Sequence, residues 1–417
     1  MNREIFVYED FEQDISQLMG ALYVDAVNGK EVFAFEYSAK WLQNASLNVF
    51  LDPDIHNYSG RQYLRQGKQI FGCFADASPD RWGRTLMQRR EMILARQENR
   101  RPKKLLNSDY LLGVYDASRI GSLRFKDSQE GDFLASDEQL ATPPWVALRQ
   151  LENASYSFES GELSEGQKWF NLLVAPGSSL GGARPKATIA DTEGNLWIAK
   201  FPSKHDEYDS GAWEMVVHDL AVMVGLNVPK AKLERFSENG STFLVQRFDR
   251  AGERRIHFAS AMTMLGKQDG EQGTSYLDLV KFISSYGSMV KKDLVELWRR
   301  IAFNMLVGNT DDHLRNHGFI LNDSGWILSP LFDVNPEPYG DNLGLLVDRD
   351  SGLINKDLLL STSEYYGIKL LDAKVELEGM SDIVKKYWRK LAKKYGLSRS
   401  AIAYMEPAFN RIDIIKD

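Results

Sequence analysis

The sequence has a single cysteine, Cys73, among its 417 residues. One cysteine excludes an internal disulfide framework and is compatible with a reducing cytosol. No apolar run approaches the roughly 18 residues that a membrane helix needs, and the first residues show no signal-peptide pattern. Repeats and low-complexity tracts are also lacking. We therefore expect a soluble, cytoplasmic protein that makes no membrane contact.

An excess of positive charge is absent as well. The formal net charge is −7, so the whole chain has no broad electrostatic attraction to nucleic acid. Two local basic stretches, Arg89 to Arg96 and Arg100 to Lys104, follow each other on and after a helix predicted from Asp80 to Gln97. A solvated helix face with its trailing loop accounts for them more simply than nucleic-acid binding does. The functional alternative for this stretch is contact with DNA in a complex with a partner protein.

The most informative stretch present lies between Asn309 and Asp333. Asn316 follows Asp311 by five residues, and Asp333 follows Asn316 by seventeen. In protein kinases an Asp orients the acceptor hydroxyl, an Asn five residues later binds one magnesium ion, and a later Asp binds another. Carboxylate and amide oxygens are ligands that magnesium prefers. A hairpin predicted from Gly318 to Leu328 would bring Asp333 back beside Asn316.

Two different roles for these residues are also compatible with the spacing. Asp and Asn occupy turns and caps for local hydrogen-bonding reasons, so a purely structural role for Asp311 and Asn316 remains an alternative. A different metal site could use His313, His317 and the aspartates, but a third well-placed ligand such as that of His-Glu-x-x-His is missing.

A glycine-rich stretch from Gly177 to Lys186 precedes a hairpin predicted over Ala187 to Ala190 and Leu196 to Phe201. Glycine tolerates the close backbone approach that an anion-binding nest needs. The Walker pattern Gly-x-x-x-x-Gly-Lys-Ser/Thr is absent, so a P-loop fold is not indicated. Taken alone, such a stretch also fits a flexible surface loop.

The strand from Leu196 ends in Lys200, a lysine placed to reach nucleotide phosphates. Kinases hold such a lysine with an acidic partner from the following helix. A helix predicted from Gly211 to Val224 supplies Glu214 in its first turn, where the helix dipole alone also favours an acidic residue. A further strand, Thr242 to Phe248, would be the hinge whose backbone meets an adenine edge.

The rest of the chain predicts mainly helices. Apolar residues from Leu294 to Leu306 mark one face of a helix that ends at Gly308 and delivers Asp311 just beyond it. The tail from Asp382 to Asn410 also has helical periodicity. A polar stretch from Asp127 to Pro144 is the predicted linker. The other predicted elements are strands at Gly20 to Val27, Glu31 to Tyr37, Leu111 to Val114 and Gly121 to Phe125, and helices at Pro144 to Asn153 and Ser164 to Ala175.

Together these motifs resemble the HipA family of bacterial serine/threonine kinases. The resemblance rests on Ser179 to Lys186, Ile198 to Pro202, Leu244 to Arg250, Asn309 to Asn316 and Pro330 to Asp333, and in the N-terminal region on Ser78 to Arg84, Leu111 to Asp116 and Arg119 to Phe125. It extends over nearly the whole chain. It implies the toxin of a toxin–antitoxin pair, neutralised by a HipB-like helix-turn-helix antitoxin that binds operator DNA. Better-known relatives phosphorylate aminoacyl-tRNA synthetases.

The resemblance also implies roles for individual residues. Asp311 would be catalytic, Asn316 and Asp333 would bind Mg²⁺, and Glu214 would support Lys200. The predicted ATP-binding residues are Gly181, Gly182, Ala183, Arg184, Pro185, Lys186, Lys200, Gln246, Arg247, Phe248, His313, Asn316 and Asp333. Ser179 matches the loop serine that family members autophosphorylate, with Ser178 as its close competitor. A phosphate there adds roughly two negative charges where ATP phosphates must sit.

We therefore expect an α+β protein-kinase-like, HipA-like fold. Its predicted parts are an N-terminal α/β domain over residues 1–135, a small strand-rich nucleotide-binding lobe over 136–250 and a helical C-terminal catalytic lobe over 251–417. The expected activity is ATP- and Mg²⁺-dependent phosphorylation of a protein Ser or Thr. A small-molecule or lipid kinase of the same fold and a non-catalytic binding module are the alternatives. The sequence departs from the family pattern at Arg184, Pro185 and Gln246. The added cation of Arg184 bears on substrate placement and loop regulation more than on catalysis.

Overall fold

The structure is a computed structural model, and it describes residues 3–10, 16–27, 29–44, 49–65, 67–136, 142–161, 173 and 182–414. The chain divides into two compact units. The first contains Met1–Lys204 and Gln246–Gln268, and the second contains His205–Val245 and Asp269–Asp417. The three domain limits predicted from the sequence stay a prediction.

Strands and helices alternate in blocks along the chain. The strands are β1 (Arg3–Glu9), β2 (Gln17–Val27), β3 (Lys30–Tyr37), β4 (Gln62–Tyr63), β5 (Leu123–Lys126), β6 (Lys186–Ala190), β7 (Leu196–Lys200), β8 (Ala231–Ser237), β9 (Gly240–Gln246), β10 (Arg250–Ala251), β11 (Arg254–Arg255), β12 (Phe258–Ser260), β13 (Gly318–Asn322) and β14 (Gly325–Leu328). The helices are α1 (Ala39–Gln43), α2 (Gly72–Asp76), α3 (Arg81–Gln97), α4 (Asn107–Leu112), α5 (Leu148–Glu159), α6 (Ser210–Met223), α7 (Ala261–Met264), α8 (Tyr276–Tyr286), α9 (Val290–Val307), α10 (Lys356–Ser361), α11 (Leu370–Lys394) and α12 (Arg399–Ile414).

An antiparallel sheet in the order β4-β3-β2-β1-β5 organises the start of the first unit. Alternate side chains of β1 are buried, among them Ile5 and Val7, and Leu22 and Phe35 are buried on the neighbouring strands. Each such side chain contributes about 1.5–3 kcal/mol when it is fully buried. The strands predicted at Gly20 to Val27 and Glu31 to Tyr37 are confirmed as β2 and β3.

The strand predicted at Leu111 to Val114 is wrong. The segment belongs to α4 and the turn after it, and the Asp109 carboxylate accepts a hydrogen bond from the Leu106 backbone N–H at 2.9 Å, which caps the helix. Leu111 and Val114 are fully buried. A short apolar run buried on all sides has no periodicity that separates strand from helix, which accounts for the error.

Helix α3 begins at its predicted position. The Asp80 carboxylate accepts a hydrogen bond from the Gly83 backbone N–H at 2.8 Å and caps the helix. The basic stretch that follows is partly neutralised, because the Arg100 guanidinium pairs with Glu91 at 2.5 Å and Lys103 pairs with Asp109 at 2.6 Å. Local ion pairs therefore neutralise part of the positive charge predicted for this stretch.

Two antiparallel hairpins carry residues of the predicted site. In the first unit β6 pairs with β7 so that Lys186 faces Lys200. In the second unit β13 pairs with β14 across a tight turn, with Phe319 opposite Leu328. Both hairpins were predicted from the sequence and are confirmed.

Helices dominate the second unit. Trp388 of α11 stacks on Phe409 of α12 with ring centroids 4.5 Å apart, and both side chains are buried with Trp213 of α6. Helix α9 ends at Gly308, which has φ +68° and packs so closely on Ala408 that a Cβ there would overlap with it. Only glycine suits that combination of backbone angle and contact. The helices predicted over Leu294 to Leu306 and in the tail are confirmed.

Several other predictions have mixed outcomes. The helix predicted from Pro144 is confirmed as a short 3-10 turn followed by α5, whereas the predicted helix Ser164 to Ala175 lies, apart from Leu173, outside the described residues. The strand predicted from Gly121 begins at Leu123, because Gly121 has φ +73°. Within the described part of the chain, no helix has the length and apolar character to cross a membrane.

Candidate active site

The loop between α9 and β13 carries the predicted catalytic residues of the second unit. It leaves the helix at Gly308 and reaches β13 at Gly318 within ten residues. Asp311 is exposed on this loop, whereas the adjacent Asp312 is buried. A turn closed by a hydrogen bond from the Asn316 N–H to the His313 carbonyl oxygen, at 2.8 Å, places Asn316 back near the start of the loop.

The Asn316 side chain is oriented by this loop. Its amide nitrogen donates to the Asp311 backbone carbonyl oxygen at 3.2 Å. Its amide oxygen is buried, and no protein group in the described part of the chain donates to it. A buried acceptor left unsatisfied costs about 1–3 kcal/mol. An oxygen of this kind fits a hard cation such as Mg²⁺, which takes oxygen ligands.

Asp333 has an unusual backbone conformation. It lies beyond β14 with φ +58°, one of few described residues other than glycine with positive φ. Such a conformation costs on the order of 1–3 kcal/mol and often marks a functional site. The segment that follows returns to the start of the loop between α9 and β13, since the Glu337 N–H donates to the Gly308 carbonyl oxygen at 3.0 Å.

The electrostatics of the loop single out Asp311. Partial desolvation is the main influence that raises the pKa of this carboxyl; His313 lowers the pKa, while the like charges of Asp333 and Asp312 raise it further. The net direction is upward. A carboxylate with a raised pKa is suited to accept a proton from an acceptor hydroxyl.

Asp312 has different surroundings. One oxygen of its carboxylate accepts hydrogen bonds from the Tyr276 hydroxyl, from the Asn304 amide at 2.9 Å and from the His317 ring at 2.8 Å. Because three other side chains donate to this oxygen, Asp312 is less suited than Asp311 to act as a base. His317 is likewise engaged, and no cluster of three His, Cys, Asp or Glu side chains suited to a metal ion occurs among the described residues.

The first unit contains the residues predicted to bind phosphates. Lys200 is buried at the end of β7. The Lys186 ammonium is also buried, and it pairs with Asp80 at 2.9 Å and donates to the Gly182 carbonyl oxygen at 3.1 Å. The Trp82 indole N–H donates to the Lys186 carbonyl oxygen at 3.0 Å. The end of the glycine-rich stretch is thus fixed to the start of α3.

The rest of that stretch is only partly described. A Cβ added at Gly182 would meet no atom of the described residues within 4 Å. Arg184 and Pro185 follow it into β6, whereas Gly181, Ser178 and Ser179 lie outside the described residues. The assignment of Gly182 to Lys186 to the phosphates stays a prediction.

The predicted hinge lies where β9 ends. The strand stops at Gln246, two residues short of the prediction, and the Arg247 N–H donates to the Leu196 carbonyl oxygen at 2.9 Å. The buried Arg247 guanidinium pairs with Asp249 at 2.6 Å and donates to the Ser118 carbonyl oxygen at 2.5 Å. The Arg247 side chain is therefore structural, and the assignment of Gln246 to Phe248 to an adenine edge stays a prediction.

The prediction that Glu214 lies in the first turn of its helix is wrong. Helix α6 begins at Ser210 with Asp209 as its N-cap, and its first turn contains no acidic residue. Glu214 lies in the second turn and is buried. A stabilising interaction with the positive end of the helix dipole falls off within the first turn, so the dipole does not account for this residue.

The structure therefore brings Asp311, Asn316 and Asp333 into one unit, together with polar residues that lie outside the predicted motif. Asn304 falls within the predicted apolar face of α9, although it is a polar residue between Phe303 and Met305. A fully buried Asn in an apolar helix face needs partners. The polar Asn304 among apolar residues was therefore the feature of the sequence that could have indicated a buried polar network near Asp312.

Fold and site define an α+β protein of the protein-kinase-like class, and comparisons with known proteins identify its family. Residues 178–406, more than half of the chain, match the model of the HipA-like C-terminal domain, and the chain belongs to that family. A solved Shewanella oneidensis complex of HipA, HipB and operator DNA contains a chain with the same fold. The TM-score is 0.66 at 18% identity, over 97% of this chain and 96% of that one. The predicted fold class and family resemblance are confirmed.

Curated proteins also match this chain at low identity. The "Serine/threonine-protein kinase toxin HipA" of Shewanella oneidensis is 27% identical over 40% of this chain and 45% of its own length. A Sinorhizobium fredii protein named "Putative kinase Y4mE" is 29% identical over 37% of this chain and 41% of its own length. The chain thus spans less than half of the length of these two relatives.

Proposed function

We propose that this protein is an ATP- and Mg²⁺-dependent serine/threonine protein kinase. The observation that carries the proposal is the arrangement in the second unit. Asp311 is exposed and has a raised pKa, and the unsatisfied oxygen of Asn316 lies on the same short loop. Asp333, with its strained backbone, acts electrostatically on Asp311. Base and metal ligands are the parts that phosphoryl transfer requires of a protein.

Each residue has a distinct task in this proposal. Asp311 orients the acceptor hydroxyl and receives its proton as the oxygen–phosphorus bond forms and the bond to the leaving diphosphate breaks. The Asn316 oxygen and the Asp333 carboxylate would hold Mg²⁺, which would neutralise phosphate charge when bound. Lys200 holds the phosphates, and the backbone of Gln246 to Phe248 meets the adenine. Catalysis would come mainly from positioning and charge neutralisation.

The proposed biological role is that of a toxin with an antitoxin partner. The solved relative of the same fold is part of an assembly with HipB and operator DNA. We expect this chain to bind a HipB-like helix-turn-helix antitoxin and to meet DNA only through it. The expected substrate is a protein with a Ser or Thr acceptor, and an aminoacyl-tRNA synthetase is the first candidate to try.

The substrate class can be tested with one matched pair of proteins. Wild type and Asp311→Asn are expressed briefly in cells, and phosphopeptides are compared by mass spectrometry. Ser or Thr sites that depend on Asp311 are expected. Purified enzyme is then offered protein and small-molecule acceptors in parallel with labelled ATP. Label found only in small molecules or lipids would replace the protein-kinase proposal by the small-molecule alternative.

Regulation by Ser179 is part of the proposal. Incubation with Mg-ATP should add one phosphate to wild type and none to Asp311→Asn, and the modified form should bind ATP more weakly because the added charge competes for the same donors. Intact-mass and peptide mass spectrometry measure both. Modification at Ser178 alone would move the site by one residue. An enzyme that phosphorylates another protein but never itself would rule out self-inactivation and leave the kinase proposal intact.

A further inference from the structure

A buried polar network lies behind the catalytic loop, with the Asp312 carboxylate at its centre. One oxygen of this carboxylate receives three hydrogen bonds, from the start of α8, from the last turn of α9 and from the residue before β13. The donors are the Tyr276 hydroxyl, the Asn304 amide at 2.9 Å and the His317 ring nitrogen at 2.8 Å. Asp312 is 2% exposed, so these contacts lie out of solvent. Buried, charge-assisted hydrogen bonds are the strong ones.

The network continues toward the segment of Asp333. The Asn309 amide donates to the Asn304 side-chain oxygen at 3.1 Å, and the Asn309 backbone N–H donates to the Asn304 carbonyl oxygen at 2.9 Å. The Asn309 side-chain oxygen accepts from the Asn335 N–H at 3.4 Å, a longer contact. Asn335 is two residues beyond Asp333. One chain of polar groups therefore connects the residue beside Asp311 with the segment that carries Asp333.

The backbone of Asp312 is confined as well. A Cβ added at Gly344 would overlap with the Asp312 carbonyl oxygen, so the loop packs directly on that glycine. The side chain is held from one direction and the carbonyl group from another. A residue restrained in both ways has little freedom to move, and neither has its neighbour in the chain.

We infer that Asp312 is the positioning residue of this site: it fixes Asp311 and Asn316 relative to Asp333 and does not itself touch the reacting groups. The inference rests on the proposed phosphoryl transfer. Burial and the negative charge of Asp312 raise the pKa of Tyr276 well above its ordinary value, which keeps that hydroxyl protonated as a donor. Displacement of reacting groups by about 1 Å costs on the order of 100-fold in rate. Loosening this network should therefore reduce turnover without removing the base.

The test compares Asn substitutions at two adjacent positions. Asp311→Asn removes the base and should abolish transfer. Asp312→Asn keeps the shape and an acceptor oxygen, so it should retain turnover within about tenfold of wild type, whereas Asp312→Ala should lose about 100-fold. Rescue of the Ala variant by Asn is the result that a catalytic carboxylate could not give. Turnover in Asp312→Asn as low as in Asp311→Asn, or wild-type turnover in Asp312→Ala, would overturn the inference.

A second readout does not depend on activity. Amide hydrogen exchange of residues 309–317 should quicken in Asp312→Ala while exchange in α11 stays unchanged, because only the loop loses its restraint. If Asp312→Ala does not fold, Tyr276→Phe removes one donor and keeps the buried ring, and it should show the same local change to a smaller extent. Unchanged exchange in the loop of the folded variant contradicts the inference. Should wild type transfer no phosphate at all, the kinase proposal fails and exchange alone decides the role of Asp312.

Discussion

Asp249 of the first unit and Asp311 of the second unit have opposite electrostatic surroundings. In the first unit Asp249 is buried between two arginines, with Arg247 at 2.6 Å and Arg250 at 2.8 Å. Burial alone would raise its pKa, but the two positive charges outweigh burial and hold the pKa far below the ordinary value. In the second unit desolvation and the like charges of neighbouring aspartates raise the pKa of Asp311, and only His313 lowers it.

The difference separates ion-paired carboxyl groups from the carboxyl group proposed to be catalytic. Asp116 repeats the first pattern, because Arg124 at 2.7 Å and Arg255 at 2.9 Å pair with it and its pKa is lowered. A paired carboxylate is stabilised as an anion and is a poor proton acceptor. A carboxylate near like charges is stabilised by taking up a proton or a cation, which is the requirement for catalysis and metal binding. The direction of the pKa shift therefore distinguishes Asp249 and Asp116 from Asp311.

The largest effect on folding should come from Asp249. Asp249→Ala leaves two buried guanidinium groups without their counterion, which should lower the free energy of unfolding by about 3–5 kcal/mol. Asp311→Ala should leave the free energy of unfolding unchanged or raise it. Urea unfolding followed by circular dichroism measures both variants. Equal destabilisation by the two substitutions would contradict the difference proposed between Asp249 and Asp311.

A smaller effect is expected on nucleotide binding through the lysines of the first unit. Lys200 is buried at the end of β7, whereas Lys204 is exposed in the loop after it. A hydrogen bond to a charged group is worth about 1.5–3 kcal/mol, so Lys200→Ala should weaken ATP affinity by about 10- to 100-fold. Lys204→Ala is the matched control and should change little. Calorimetric ATP titration in which both variants lose affinity equally would remove the special role of Lys200.

A change of about 1 kcal/mol is expected for Asp333→Gly. Glycine adopts the φ of +58° without strain, so the substitution should raise the free energy of unfolding by about 1 kcal/mol. The same variant lacks a metal ligand and should lose Mg²⁺-dependent ATP binding. A higher thermal midpoint together with lost Mg-ATP binding would show that Asp333 lowers the stability of the fold and is needed for binding. Asp333→Gly that binds Mg-ATP like wild type would remove Asp333 from the metal site.

The smallest effects concern pH. Asp311 must be ionised to accept a proton, so turnover should fall as pH drops through its raised folded-state pKa, at a higher pH than an ordinary Asp would give. The same shift means that Asp311 favours folding below its unfolded-state pKa and loses that contribution as pH rises through the folded-state pKa. Asp311→Asn should therefore be slightly more stable than wild type at neutral pH and lose that advantage in acid. An advantage that persists at pH 3 would contradict the raised pKa.

Sequence patterns predicted the parts of this molecule that local chemistry determines. The hairpin of β13 and β14 follows from alternating strands around a polar turn, and the end of α9 follows from Gly308. The spacing of Asp311, Asn316 and Asp333 identified the candidate site before any geometry was known. These features depend on residues near one another in the chain.

Features that depend on distant contacts were not predicted. The segment that includes the end of helix α4 was predicted as a strand, because its apolar residues are buried on every side and show no helical periodicity. The hydrogen bonds of Asp312 were not predicted, because its partners Tyr276 and Asn304 are 36 and 8 residues away in the chain. The pairing of Lys186 with Asp80, 106 residues apart, was equally invisible. Long-range pairing decides such roles, and spacing along the chain contains no information about it.

Transfer of the γ-phosphoryl group by purified protein tests the central claim most directly. Wild type and Asp311→Asn are first shown by calorimetry to bind Mg-ATP alike, and each is then incubated with labelled ATP and protein acceptors. We predict label on a Ser or Thr with wild type and at least about 100-fold less with Asp311→Asn, since loss of a general base costs about 100- to 10,000-fold. Transfer at similar rates by both proteins, or no Mg-ATP binding by folded wild type, would contradict the account.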